Sequence, residues 1–118
     1  MSSSGIIRLS GTTIAEIVAR AVSETEGIRG DFTHLLRNVE LFRGETTLSH
    51  GEKIPLDTED LVVRLKIAVS PLAPSFFAVA QHVQRNVFEA LRARLGLTPK
   101  RVDVEVDSVD WSELTERG

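Results

Sequence analysis

Histidines and carboxylates are the side chains of this sequence that could perform acid–base or metal chemistry. The chain has three histidines, His34, His50 and His82. They are scattered, and no two have the spacing of metal ligands on one element. Carboxylates alternate near the end of the chain, at Asp103, Glu105 and Asp107. Such a row could bind calcium or a proton, but on one face of a strand it usually serves solubility.

Nucleophilic chemistry has no candidate residues either. The sequence contains no cysteine, which excludes thiolate catalysis and thiolate zinc sites. None of the serines lies in a Gly-x-Ser-x-Gly elbow. The sequence therefore predicts a protein with no catalytic residues, no metal and no cofactor.

A nucleic-acid loop is one interpretation of Gly27-Ile28-Arg29-Gly30. KH domains clamp a nucleic-acid backbone with a Gly-x-x-Gly loop, and this segment has that spacing. Acidic neighbours at Glu24, Glu26 and Asp31 would repel phosphates, and a turn that ends a helix would also explain both glycines. The motif leaves both interpretations open.

A protein partner could instead bind exposed aromatic and basic side chains. Phe76 continues the apolar stripe of a long predicted helix, whereas Phe77 and Phe88 lie to one side of it. Those two residues either widen the stripe or form part of a partner surface, and Trp111 either folds back or stays available. We also assign Arg64 and Lys66 to this partner surface, because they alternate with the apolar residues of a strand; the set is thus Phe77, Phe88, Trp111, Arg64 and Lys66.

Alternation and helical spacing predict the elements that position these residues. The pattern predicts a short edge strand at 6–9, a helix from Ser10 or Thr13 to about 24–27, a strand at 61–69, a helix at 74–95 and a strand at 102–109. Residues 31–59 follow neither period cleanly, so their structure stays open.

These elements predict an α+β domain. We expect a two-layer α/β sandwich, with a three- to four-stranded mixed sheet, two helices on one face and the order β-α-β-β-α-β. On the open face, Arg64 and Lys66 should meet Asp103 and Glu105 if their strands are neighbours. Residues 1–4 are predicted to be a flexible leader, residues 5–111 a single domain and residues 112–118 a tail.

Composition narrows the function classes further. A chain of 118 residues with 42% hydrophobic residues can bury one moderate core. Its net charge of -3 opposes general electrostatic binding of nucleic acid. The start lacks the pattern of a signal peptide, and no apolar run is long enough to span a membrane. We expect no direct membrane insertion.

The order of several segments resembles the alkaline shock protein family, also called the envelope stress response family. The segments are Gly5–Ser10, Ile14–Ala21, Glu24–Ile28, Leu65–Val69, Val79–Val87, Leu95–Leu97 and Val102–Val106. The resemblance implies a non-enzymatic bacterial protein of cell-envelope stress or homeostasis. It also implies a cytoplasmic homo-oligomer that a membrane-anchored partner holds near the membrane. The chain departs from the family pattern at Ser70-Pro71 and over Asp31–Glu59.

Overall fold

The computed structural model describes residues 5–115, apart from the side chains at positions 113 and 115. The elements are β1 (Arg8–Ser10), α1 (Gly11–Ser23), β2 (Ile28–Arg29), α2 (Phe32–Arg37), β3 (Val39–Arg43), β4 (Thr46–Leu48), β5 (Lys53–Pro55), β6 (Leu61–Val69), α3 (Phe76–Leu95), β7 (Arg101–Val109) and α4 (Ser112–Thr115). The predicted leader, residues 1–4, lies outside the described residues, as do positions 116–118 of the predicted tail.

Strand β6 organises the main sheet, which has five strands. Along one edge it pairs in parallel with β7 from Val62 to Val69, and α3 is the crossover between the two. Along the other edge it pairs antiparallel with β3 and β2. Its alternation of buried and exposed residues explains this position, because Leu65 and Ile67 enter the core while Arg64 and Lys66 stay exposed.

Strands β2 and β3 lie end to end along the same edge of β6. Ile28 pairs with Val69, near the end of β6, whereas Val39 pairs with Leu65 further back. The chain leaves the sheet between them to form α2, whose first turn is capped by the carboxylate of Asp31. Strand β4 then pairs with β3 and completes the sheet. The remaining strands, β1 and β5, form a separate two-stranded sheet.

Helices α1 and α3 supply the apolar layer that covers one face of the main sheet. Ser10 caps α1, since its hydroxyl accepts a hydrogen bond from the Thr13 N–H at 3.1 Å. Gly96 ends α3 in the left-handed conformation, with φ of 65°. The two helices and the sheet share one core, whose helical members include Ile14, Val18, Val22, Val79, Val83, Val87 and Leu91.

The structure confirms the α+β class and corrects the finer architecture. The predicted sheet of three to four strands was wrong, because the main sheet has five strands and a second sheet has two. The predicted order β-α-β-β-α-β was also wrong, since it lacked α2, α4 and several of the short strands. In the part of the chain that the structure describes, the edge strand predicted at the start pairs only with β5. These missed elements have two to six residues, too few to show a clear period.

The long helix begins later than predicted. It starts at Phe76 rather than Pro74, because the Ser75 hydroxyl accepts from the Ala78 N–H and acts as the N-cap. The assignment of Phe76 to the core stripe was wrong, since the residue is 37% exposed. The stripe points towards the core only from Val79 onwards.

Candidate interaction surface

The two longest strands of the main sheet terminate side by side, at one end of the sheet. Strands β6 and β7 are parallel neighbours, so both terminate at this same end. The Asp110 N–H donates to the Val69 carbonyl at 2.9 Å and fixes the end of β7. The Ser70 N–H donates to the Gly27 carbonyl at 2.8 Å and holds the turn between α1 and β2 against this end. The loop into α3 and the segment after β7 both start here.

Most of the large exposed apolar side chains that the structure describes lie on the segments that leave this end of the sheet. Their exposed fractions are 63% for Leu72, 37% for Phe76, 72% for Phe77, 55% for Trp111 and 41% for Leu114. We call these five residues the apolar end. All five residues lie on segments that start at the same end of the sheet, and exposed apolar groups of this size, where they are contiguous, mark interaction sites on soluble proteins.

The aromatic residues predicted as a partner surface fall in two places. Phe77 and Trp111 both belong to the apolar end. Phe88 lies about three turns further along α3 and is half-buried, with the Arg92 guanidinium 5.9 Å from the centre of its ring. Phe88 is therefore on the flank of α3 and outside the apolar end.

Arg64 and Lys66 lie on the sheet face opposite the helices. The Arg64 guanidinium stands 4.7 Å from the centre of the Phe42 ring and 3.9 Å from the Asp103 carboxylate. Lys66 has Glu105 as its register partner on β7. The prediction that the strands are neighbours is confirmed, and so is the meeting of Arg64 with Asp103, whereas Lys66 and Glu105 share a register position without forming an ion pair. The two basic residues form a surface separate from the apolar end.

Backbone geometry accounts for both glycines of the Gly-x-x-Gly motif. Gly27 and Gly30 have φ of 95° and 109°, values that favour glycine. A Cβ atom on Gly27 would also lie 2.9 Å from a methyl carbon of Val79. The two central residues, Ile28 and Arg29, form β2 and pair with β6. The segment is thus a short strand between two turns, and the nucleic-acid interpretation stays a prediction.

Asp110 connects the end of β7 to the following helical turn. Its carboxylate accepts from the Ser112 hydroxyl at 2.6 Å and from the Ser112 N–H at 3.1 Å. These two bonds lower the pKa of Asp110 below its usual value, and the positive charge of Arg29 lowers it further. The bonds direct the chain from β7 into the segment that carries Trp111 and Leu114.

A groove of about 560 Å³ lies between α1, α2 and the end of α3. Its apolar residues include Ile17, Phe32 and Leu95, and the Arg20 guanidinium lies 5.5 Å from the centre of the Phe32 ring. Its charged residues, Glu16, Arg20, Glu24 and Arg94, are all exposed to solvent. The groove thus lacks the buried, converging polar groups of a typical catalytic pocket.

Among the side chains that the structure describes, no group of three or more His, Asp or Glu is arranged to hold a metal ion. No helix within residues 5–115 is long and apolar enough to cross a membrane.

The apolar end includes residues that the sequence analysis did not select. Leu72 and Leu114 were missed, and Phe76 was assigned to the core. An available signal was the position of Leu72 and Phe76 around the start of α3, where a helix can extend past the sheet that it covers. The helical spacing of Phe76 to the core residues Val79 and Val83 concealed this signal.

Comparison with known protein families identifies the group to which this fold belongs. A model of the alkaline shock protein family, described as having a cell envelope-related function, matches residues 1–111. The chain belongs to this family. The resemblance drawn from the sequence segments is thereby confirmed, and a cell-envelope-related function is the family's description. No curated protein and no solved structure gives a significant match.

Proposed function

We propose that this member of the alkaline shock protein family is a non-catalytic interaction module of the cell envelope. It associates with copies of itself, and a membrane-anchored partner holds it at the cytoplasmic face of the membrane. The observation that carries this proposal is the apolar end. Burial of apolar area stabilises an association by roughly 25 cal/mol per Å², so these five exposed side chains favour a bound state.

The arrangement of the apolar end suits an interface more than a ligand pocket. Phe77 and Trp111 project from two different segments, and a backbone hydrogen bond between Asp110 and Val69 fixes the base of one of them. Aromatic residues of this size are the usual anchors of protein interfaces. A surface with such anchors fits another protein surface.

Self-association is tested by sedimentation equilibrium of the purified full chain over a range of concentrations. We expect the mass to rise with concentration for the wild type, and Phe77→Asp and Trp111→Asp to shift the chain towards monomer. Ile7→Asp is the matched control, because Ile7 is 66% exposed but lies outside the apolar end. A wild type that stays monomeric at high concentration contradicts this part of the proposal.

The membrane-anchored partner is tested by affinity capture of the tagged chain from detergent-solubilised cells, with and without nuclease. We expect a small membrane protein whose recovery does not depend on nuclease and falls with Phe77→Asp but not with Ile7→Asp. Recovery of only RNA-binding proteins that disappear after nuclease treatment would support the loop at Gly27–Gly30 instead, and would contradict the envelope partner.

A further inference from the structure

The outer edge of β7 is a second surface that the structure leaves unpaired. β7 has nine residues and pairs only with β6 among the strands of residues 5–115. A long unpaired edge offers backbone donors and acceptors that can bind another extended segment.

The direction of the β6 backbone groups decides which β7 groups are free. The Gly44 N–H donates to the Asp60 carbonyl at 2.9 Å, and the Ser70 N–H donates to the Gly27 carbonyl at 2.8 Å. These bonds continue the pairing of β6 with β3 and β2 at its two ends. Even-numbered residues of β6 therefore direct their backbone groups towards β3 and β2, and odd-numbered residues direct theirs towards β7.

The register then assigns the free groups of β7. The odd-numbered residues Val63, Leu65 and Ile67 have Val102, Val104 and Val106 as their register partners. In a parallel pair, a residue bonds to the two residues that flank its partner. The backbone groups of the three β7 valines consequently point away from β6.

One of these outward groups is already occupied. Gln84 on α3 donates from Nε2 to the Val102 carbonyl at 3.0 Å. The outward groups of Val104 and Val106 make no hydrogen bond to another residue that the structure describes. Two consecutive outward-facing residues can accept a short added strand.

Side chains of β7 are acidic on the open face of the sheet and apolar on the face that the helices cover. On the open sheet face, Asp103 is shared by Arg64 and Arg101, whereas Glu105 is exposed and has no ion pair within residues 5–115. Asp107 follows at the bulge of β7 and is also exposed without an ion pair in that range. On the helical face, Val104 is half-buried and Val106 is 37% exposed.

We propose that the outer edge of β7 binds an extended protein segment in which basic and apolar residues alternate. Its basic side chains would lie beside the acidic residues, and its apolar side chains would lie beside Val104 and Val106. Opposite charges in neighbouring strands stabilise a sheet, while like charges destabilise it. This inference rests on the proposed function for the existence of a protein partner, and it names the chemistry of the segment that the partner contributes.

A second copy of β7 is a poor occupant of the same edge. Two β7 strands related by a two-fold axis would pair antiparallel, and their acidic rows would then face each other. Asp103, Glu105 and Asp107 would repel their equivalents on the other copy. Charge complementarity favours a basic segment from a different protein.

The test uses a short synthetic peptide of alternating lysine and valine, titrated into the isotope-labelled full chain and followed by NMR. We expect the amide signals of Val104 and Val106 to shift, and their hydrogen exchange to slow, when the peptide binds. The affinity should fall as salt is added, because the contact is partly electrostatic. A control peptide of alternating glutamate and valine should not bind.

Two variants, and a control for the first of them, separate the backbone and charge contributions to peptide binding. Val104→Pro removes an outward N–H that β6 does not use, and proline is tolerated at such edge positions. We expect it to weaken peptide binding by roughly tenfold or more, while Val104→Thr keeps the N–H and retains binding. Glu105→Lys places a positive charge beside the peptide and should weaken binding by a similar factor, so the test remains decisive if the proline variant does not fold.

Equal binding of both peptides, or signal changes that leave Val104 and Val106 unaffected, would overturn this inference. Self-association that disappears in folded Val104→Pro would also overturn it, because a second copy would then occupy the edge. A chain that self-associates through Phe77 but ignores the peptide keeps the proposed function and loses only this inference. Peptide binding by a chain that stays strictly monomeric would support this inference and contradict the self-association in the proposed function.

Discussion

Replacing Gly27 with alanine tests whether the first glycine of the Gly-x-x-Gly motif serves the fold. Two effects oppose the added methyl group. The φ of 95° is unfavourable for alanine by about 1–2 kcal/mol. The new Cβ would also lie 2.9 Å from a methyl carbon of the buried Val79, and such overpacking costs about 1–3 kcal/mol.

Gly96→Ala is the matched control for this prediction. Gly96 also has a positive φ, of 65°, but apart from its own atoms and those of its two chain neighbours, no described atom lies within 4 Å of the position that its Cβ would take. The control therefore measures backbone strain without overlap, and the entropy that alanine removes from the unfolded chain is common to both variants. We expect Gly27→Ala to lower the free energy of unfolding by about 1–3 kcal/mol more than Gly96→Ala does.

Urea unfolding followed by circular dichroism measures this difference. The additional loss should shrink when Gly27→Ala is combined with Val79→Ala, because the overlapping methyl groups are then absent. If Gly27→Ala is no more destabilising than Gly96→Ala, the packing argument is wrong, and the glycine would be free for another role such as backbone recognition.

Two further predictions concern hydrogen bonds near the same region. The buried Thr25 hydroxyl donates to a carbonyl of α1 and accepts from Asn86 Nδ2 at 2.9 Å, so Thr25→Val should lower the free energy of unfolding by about 1–3 kcal/mol in urea, and Thr25→Ser, which keeps the hydroxyl, by less. Equal losses for the two variants would mean that the methyl group, and not the hydrogen bond, matters. Ser112→Ala should raise the pKa of Asp110 towards its usual value, measured by NMR titration of the carboxyl group. Because the pKa of Asp110 is lower in the folded state, its carboxylate stabilises the fold above its unfolded pKa, and this contribution is lost as the pH falls through the folded pKa. An unchanged pKa of Asp110 in Ser112→Ala would contradict this assignment.

Long elements with a clear period were predictable from the sequence. The alternation of Leu61 to Val69 indicated β6, and the four-residue spacing of Val83, Val87 and Leu91 indicated the buried face of α3. Gly96 marked the end of that helix correctly. In each case many residues repeat one pattern, so local sequence and tertiary burial agree.

The short elements were not predictable for a physical reason. β2 has only two residues, and it exists because β6 offers an edge for Ile28 and Arg29 to pair with. The next strand along that edge, β3, begins only after α2 has left the sheet and the chain has returned. Such strands are defined by long-range pairing, and sequence periodicity reports only local structure.

The candidate surface was only partly predictable, because exposure depends on where each element ends relative to the core. Phe77 was selected because it lies to one side of the apolar stripe of the helix, and Trp111 because it follows the last strand; the structure shows both exposed. Phe76 has the spacing of a core residue, but α3 begins beyond the end of the sheet that it covers, so the residue remains 37% exposed. How far a helix extends beyond the sheet that it covers is set only when the two layers pack together.

The parallel pairing of β6 with β7 has a consequence for synthesis on the ribosome. β7 follows both β6 and α3 in the chain, so β6 emerges from the ribosome first. The edge of β6 that pairs with β7 stays uncovered until the later residues have been synthesised. During this interval Val63, Leu65 and Ile67 belong to an open, apolar edge of the kind that promotes aggregation of nascent chains. Loss of the chain after Gly96, through a premature stop, would make that transient state permanent, and such fragments should be substrates for chaperones and proteases.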